Sequence, residues 1–129
     1  MASRCLNKVM IIGNVGEEPR FTSTNSSNSV CTFTVATNRS WLANGETERR
    51  EETQWHNVVV FSKLAEICSQ ILTRGTKVFV SGRIKSRKIT NLQGEEVKKI
   101  EIVGLNVLAL DRKKSSSVIS NGEFKNGKR

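Results

Sequence analysis

The stretch "ETQWHNVVVF" at residues 52–61, followed directly by "SKLAEICSQILTRG" at residues 62–75, decides the fold of this chain. The first ten residues are typical of a β-strand, in which successive side chains point to opposite faces. Trp55 and Phe61 therefore share one face, and His56 lies on the other face with two of the valines. The two rings are either part of a core or a platform on which a flat ligand lies.

The second segment changes period and is predicted to be a helix with one buried face. Its apolar residues follow the i, i+3, i+4, i+7, i+8 spacing of an amphipathic helix: Leu64, Ile67, Cys68, Ile71 and Leu72. Ser62 is a candidate cap for the start of this helix, and Gly75 is a candidate for its end.

Four further segments are predicted to be strands, at residues 5–16, 30–39, 77–88 and 97–110. Residues 17–29, which are rich in Ser, Thr and Asn, are predicted to be a loop, and the Asn-Gly turn within 41–52 indicates an exposed, mobile hairpin. Three strands, one helix and two strands predict an all-β fold (β-rich with one helix). Specifically, they predict an OB-fold, a five-stranded Greek-key barrel of antiparallel strands with a helix between strands 3 and 4.

Length and charge limit the organisation and the partners of the chain. With 129 residues it has room for one domain with a core, predicted at 1–110, and residues 111–129 are predicted to be a basic, disordered tail. The formal net charge of +9 favours a polyanionic partner, either nucleic acid or an anionic membrane surface. The sequence contains no apolar run of the roughly 18 residues that a spanning helix needs, so no membrane insertion is expected.

The polar residues give no pattern of catalysis. The three cysteines, Cys5, Cys31 and Cys68, are widely spaced, which is neither a disulfide framework nor a metal site and indicates reduced thiols. The chain has one histidine, and its "GNVG" lacks the lysine and the following helix of a phosphate-binding loop. We therefore expect no enzyme, no cofactor and no metal; a nuclease is the enzymatic alternative.

Aromatic rings and cations give a stronger pattern, that of single-stranded nucleic-acid binding. Rings stack on bases and cations follow phosphates. Trp41, at the start of the predicted hairpin, is a candidate for ligand contact, whereas Trp55 and Phe61 fit a platform and a core about equally well. The run "GRIKSRK" places Arg83, Lys85 and Arg87 on one strand face, followed by Lys88, and fits either phosphate contact or a solvated strand edge.

Three stretches carry a resemblance to a known family: "MASRCLNKVMIIGNVGEEP" at 1–19, "FTVATNRSW" at 33–41 and "ETQWHNVVVFSKLAEICSQILTRGTKVFVSGRIKSRK" at 52–88. They closely resemble the bacterial-type single-stranded DNA-binding protein, and the mitochondrial members of that family are similar. The resemblance extends from about residue 4 to residue 110.

This resemblance implies an OB-fold single-stranded DNA-binding domain at 1–110, assembled as a homotetramer. Such a protein binds single-stranded DNA with little sequence preference in replication, recombination and repair. His56 matches a histidine of the family at a subunit interface. The DNA-binding residues carried over, or added from the basic runs, are Trp41, Trp55, Phe61, Lys63, Arg74, Lys85, Arg87, Lys88, Arg4 and Lys8.

Two departures from the family pattern limit what the resemblance implies. Ile89 stands where the family has a third stacking aromatic, and the loss of stacking there is expected to cost on the order of 1 kcal/mol. The sequence ends in "EFKNGKR" rather than in an acidic tip, so recruitment of replication and repair proteins through such a tip is not carried over.

The expected location is the cytoplasm, at the nucleoid, or an organelle matrix. An OB-fold that binds RNA, or a primosome-type interaction protein, is the alternative function.

Overall fold

Six strands and one helix make up most of residues 4–111, the part of the chain that the computed structural model describes. A short 3-10 turn at Ser26–Asn28 follows the second strand. The elements, in chain order, are β1 (Val9–Val15), β2 (Arg20–Ser23), β3 (Ser29–Leu42), β4 (Arg49–Phe61), α1 (Ser62–Ile71), β5 (Lys77–Thr90) and β6 (Glu96–Ala109).

Five of these strands close into a barrel in the order β1-β5-β6-β4-β3, and β1 pairs with β3 to complete the circle. The closing contact is short and pairs Asn14 with Ala36 and Val15 with Val35. All neighbouring strands are antiparallel except β4 and β6, which pair in parallel from Val58 opposite Ile102. The predicted OB-fold barrel is confirmed, and the expectation that every strand pair is antiparallel is wrong at this one contact.

The sixth strand, β2, lies where the sequence predicts a loop. Residues 20–23 pair with β3, with Phe21 opposite Cys31. This edge of β3 is available because β1 pairs with β3 only at residues 35 and 36. The polar composition of the segment indicates a loop, but the backbone groups of the β3 edge provide partners for a strand there.

The helix begins and ends differently from the prediction. Ser62 is the first helical residue rather than the cap, with a φ of 56°. Phe61, the last residue of β4, is the N-cap and makes no side-chain hydrogen bond. Because β4 continues into α1 with no linking residue, no position remains for a capping hydroxyl. The helix ends at Ile71, and Gly75 lies in the following turn with a φ of 91°.

The barrel interior is formed by the inward-facing residues of the strands and is covered by α1. Val58 and Val60 of β4 are buried there, as the alternation in the sequence predicts. The helix contributes Ala65 and Cys68 to the same cluster, and Leu72, the residue after the helix, adds to it. The described chain continues past β6 to Asp111, whose carboxylate accepts a hydrogen bond from the Lys77 N–H at 2.9 Å. The rest of the predicted tail, 112–129, lies outside the described residues.

Candidate nucleic-acid interface

The two rings of β4 lie on the outer surface of the barrel. Trp55 is 61% exposed and Phe61 is 47% exposed, whereas the intervening Val58 and Val60 point into the core. Large apolar side chains are usually more buried than this in a single folded chain. The rings share one face of β4, as the alternation predicts, and of the two interpretations that the sequence leaves open they are not part of the core.

The cations of β5 share this outer surface with the rings, as the strand register shows. Val59 of β4 pairs with Val103 of β6, and Val103 pairs with Arg83 of β5. Residues paired across a ladder point to the same side of a sheet, so Arg83 lies on the side of Val59. Every second residue of a strand points to the same side, so five side chains lie on this outer side of the barrel with Val59. We call them the aromatic–cationic surface: Trp55, Phe61, Arg83, Lys85 and Arg87.

Arg87 differs from the other cations because it already has a carboxylate partner. Its Nε donates to Oε1 of Glu101 at 3.1 Å and its Nη2 donates to Oε2 at 3.2 Å. This hydrogen bonding, together with the charge of the buried Glu101 carboxylate, raises the pKa of Arg87. Much of the positive charge of Arg87 is therefore balanced within the protein. Lys85 lies directly opposite Glu101 in the register but forms no ion pair with it.

The start of β1 adds further positive charge beside Arg83. Val9 pairs with Gly82, so Lys8 lies next to Arg83. The Asn7 side chain fixes this alignment, because its amide donates to the Ile84 carbonyl at 2.8 Å and its oxygen accepts from the Ile84 N–H at 2.9 Å. Arg4 is exposed and precedes this contact.

Lys63 and Arg74 lie at opposite ends of α1. Lys63 is exposed in the first turn, two residues after Phe61. Arg74 is exposed in the turn after the helix, and its N–H donates to Oε2 of Glu18 at 3.2 Å. This turn is joined to β1, since the Gly75 N–H donates to the Val15 carbonyl at 2.8 Å. Lys88 is exposed opposite Lys98 and faces the other side of the β5–β6 hairpin from Lys85.

Trp41 is not brought onto the aromatic–cationic surface. The β3 alternation places it on the side of Thr37, opposite to that of Trp55, and it is half-buried. The Arg39 guanidinium lies 4.4 Å from the centroid of the Trp41 ring, within the range of a cation–π contact. Arg39 also pairs with Glu52, at 3.4 Å. Sequence reasoning missed Arg39, although its spacing of two residues from Trp41 on a strand would have indicated the contact.

His56 is half-buried and lies where β3 separates from β1. Its Nε2 is 2.9 Å from the Thr37 Oγ1. The last β1–β3 pair is Asn14 with Ala36, so Thr37 has no partner in β1. No residue of a second chain is needed to form this hydrogen bond.

The described part of the chain contains neither a metal-binding cluster nor a membrane-spanning helix. Within residues 4–111, no three His, Cys, Asp or Glu side chains are close enough together to hold a metal ion. No helix in that same range is both long and apolar enough to cross a membrane.

Comparison with known proteins identifies a matching family model and similar solved structures. The model of the single-strand binding protein family matches residues 6–110. Among solved structures, the Plasmodium falciparum SSB in its complex with ssDNA is similar, with a TM-score of 0.73 and 32% sequence identity. That match covers 86% of this chain and 100% of the other.

Proposed function

Because the chain belongs to the single-strand binding protein family, we propose that it binds single-stranded DNA by stacking bases on Trp55 and Phe61 and by placing phosphates beside the surrounding cations. Binding to single-stranded DNA is supported by the family and by the similarity to an SSB–ssDNA complex. The family is a non-catalytic DNA-binding family, which confirms the prediction that the protein is not an enzyme. The proposal adds the residues and the physical basis of binding.

One observation carries this proposal: two large exposed rings share a surface with three cations. Stacking accepts any base because every base has a flat face, and phosphate contacts carry no sequence information. Such a surface therefore binds single strands without sequence preference. A duplex offers the same phosphates but keeps its bases stacked on one another, so it gains nothing from the rings.

The cations contribute unequally to phosphate binding in this proposal. The charged side-chain groups of four cations form no ion pair within the described residues, so their charge is available to phosphates: Lys63, Arg74, Lys85 and Lys88. Arg4 and Lys8 extend this positive region past Arg83. Arg87 contributes less, because Glu101 already balances its charge.

Trp41 provides a separate stacking position on the β3–β4 hairpin. Arg39 covers one face of the ring, so a base stacks on the opposite face. Because Trp41 and Trp55 lie on opposite sides of the hairpin, a strand of DNA that reaches both has to pass around its edge or over its tip.

Self-association as a homotetramer is the second part of the proposal. A row of apolar residues crosses the outer side of three neighbouring strands: Ile12 of β1 pairs with Phe79 of β5, which pairs with Leu108 of β6. Ile12 is 55% exposed and Leu108 is 57% exposed. Met10, 63% exposed, extends this apolar patch. The β1 edge at residues 9–13 pairs with no strand of the described chain on the side away from β5. A second copy fits here, since it would cover the patch and pair with that edge.

His56 lies beside the opening between β1 and β3, next to the free β1 edge. This place supports a role for His56 at a contact between copies. The assembled protein would protect single-stranded DNA during replication, recombination and repair, at the nucleoid in the cytoplasm or in an organelle matrix.

Fluorescence titration tests the binding mode. Oligo-dT, an oligo-U of the same length and a duplex of the same length are each titrated into the protein at low and high salt, following tryptophan emission. Strong quenching by oligo-dT, weaker at high salt and absent with duplex, is the expected result. Equal binding of dT and duplex with little quenching would contradict stacking, and a preference for oligo-U would favour the RNA-binding alternative.

A further inference from the structure

The indole of Trp55 lies against Gly16, the residue that directly follows β1, two strands away from β4. A Cβ atom added to Gly16 would be 2.4 Å from Cζ3 and 3.3 Å from Cε3 of the Trp55 ring. It would also be 2.6 Å from the Thr34 Oγ1. Contacts of 2.4 and 2.6 Å between heavy atoms are far inside van der Waals distance, so the ring occupies space that only a glycine leaves free.

The register explains how the ring reaches so far. Trp55 pairs with Ala36 of β3, and Ala36 pairs with Asn14 of β1. Because Ala36 has only a methyl group, it leaves room for the indole to lie across β3 and over Thr34. The ring then points towards Gly16, which is two residues beyond Asn14. Such diagonal contacts across neighbouring strands are within the reach of an aromatic side chain.

The backbone at Gly16 is fixed by hydrogen bonds on both sides. The Gly16 N–H donates to the Thr34 carbonyl at 2.9 Å, and the preceding Val15 N–H donates to the Thr76 carbonyl at 2.9 Å. The Gly75 N–H donates to the Val15 carbonyl at 2.8 Å. Since this backbone is held by three bonds, an added side chain at residue 16 has to move the ring rather than the strand.

Gly16 is not required by the backbone conformation. The glycines with positive φ among the described residues are Gly45, Gly75 and Gly94. An alanine is therefore compatible with the φ and ψ angles at residue 16, and the space that the glycine leaves is its distinguishing property.

We propose that Gly16 is a positioning residue for single-strand binding: with Thr34 it forms the seat that sets the angle of the Trp55 indole. One face of the ring lies on the seat, and the other face is presented to a base. This inference rests on the proposed function, in which Trp55 stacks on DNA. A methyl group at residue 16 tilts the ring away from the angle at which a base lies flat on it.

A double-mutant cycle tests the seat, using Gly16→Ala, Trp55→Ala and the two combined. Affinity for oligo-dT is measured at one salt concentration. Gly16→Ala is expected to weaken binding on the order of tenfold, within the roughly 5- to 150-fold that corresponds to one stacked base. The combined variant should bind as weakly as Trp55→Ala and no weaker, because without the ring the methyl group displaces only the Thr34 hydroxyl and no stacking surface.

Two controls separate positioning from a general loss of fold. Circular dichroism and urea denaturation of Gly16→Ala itself are the first control, because every other glycine of the described residues has either a positive φ or a contact under 3.0 Å for an added Cβ. Trp55→Phe keeps a stacking ring but has no atom at the Cζ3 position, so Gly16→Ala should weaken binding less in that background than with Trp55. This second comparison remains informative if Gly16→Ala with Trp55 does not fold, which circular dichroism reports.

The possible failures are distinguishable. If Trp55→Ala weakens binding and folded Gly16→Ala does not, the seat is wrong and the proposed function stands. If the losses of Gly16→Ala and Trp55→Ala add in full, Gly16 acts independently of the ring and the inference is again overturned. If Trp55→Ala itself binds as tightly as the wild type, the stacking role of Trp55 fails first.

Discussion

At the scale of the residue, Trp55 is the most exposed aromatic side chain among the described residues. A tryptophan that is 61% exposed in one chain contributes little to the core, so its removal should leave the barrel intact. We expect Trp55→Ala to weaken single-strand affinity by roughly 1–3 kcal/mol. Titration with oligo-dT measures the loss, sedimentation should show unchanged assembly, and Trp55→Phe should retain most of the affinity. Wild-type affinity in a folded Trp55→Ala variant would contradict the stacking role.

The sequence predicts single residues well where the information is local. Alternation along β4 places Trp55 and Phe61 on one face and Val58 and Val60 on the other, and the structure shows that the valines face the core. Alternation does not reveal that Arg87 is paired, because its partner Glu101 is 14 residues away on the neighbouring strand. The seat of Trp55 at Gly16 is missed for the same reason, since it depends on the β1–β3 contact that closes the barrel.

At the scale of the element, the β5–β6 hairpin provides a comparison between a free and a paired cation. Lys85 has no ion-pair partner among the described residues, so Lys85→Ala should reduce the slope of log K against log salt by about 0.7. Arg87→Ala should change that slope less. It should instead lower the melting temperature, because it leaves the buried Glu101 carboxylate without its partner. Equal slopes for the two variants would contradict this division of roles.

The helix α1 introduces a pH dependence through Cys68. Desolvation, followed by the effect of Cys31, raises the pKa of Cys68 from an ordinary value of 9.0 to about 12. Above pH 9 the unfolded chain ionises this thiol while the folded chain keeps it neutral, so the unfolded state binds fewer protons and stability falls as pH rises. We expect a loss of about 1 kcal/mol between pH 8 and pH 10. Urea denaturation measures it, and Cys68→Ala should show a smaller loss; equal losses would contradict the assignment.

The sequence predicts the types of the elements more closely than their boundaries, and the differences have a common cause. The β2 strand exists because β3 presents an unpaired edge there, which composition does not show. The start of α1 differs from the prediction because β4 continues to Phe61, which occupies the N-cap position that the side chain of Ser62 would otherwise suit. In both cases a tertiary pairing overrides a local preference.

At the scale of the whole molecule, His56 is the residue through which the proposed assembly can be disturbed without unfolding the barrel. Its hydrogen bond to Thr37 lies beyond the last β1–β3 pair, outside the closed core. We expect His56→Lys to destabilise the tetramer, because a permanent charge at a symmetric contact meets the same charge from the second copy and is desolvated there.

His56→Gln, which stays neutral and keeps hydrogen-bonding groups, is the matched control and should assemble normally. Sedimentation velocity at micromolar concentration, with circular dichroism for the fold, measures both. A His56→Lys variant that remains tetrameric would contradict the interface role, whereas a wild-type protein that sediments as a monomer would contradict the assembly itself.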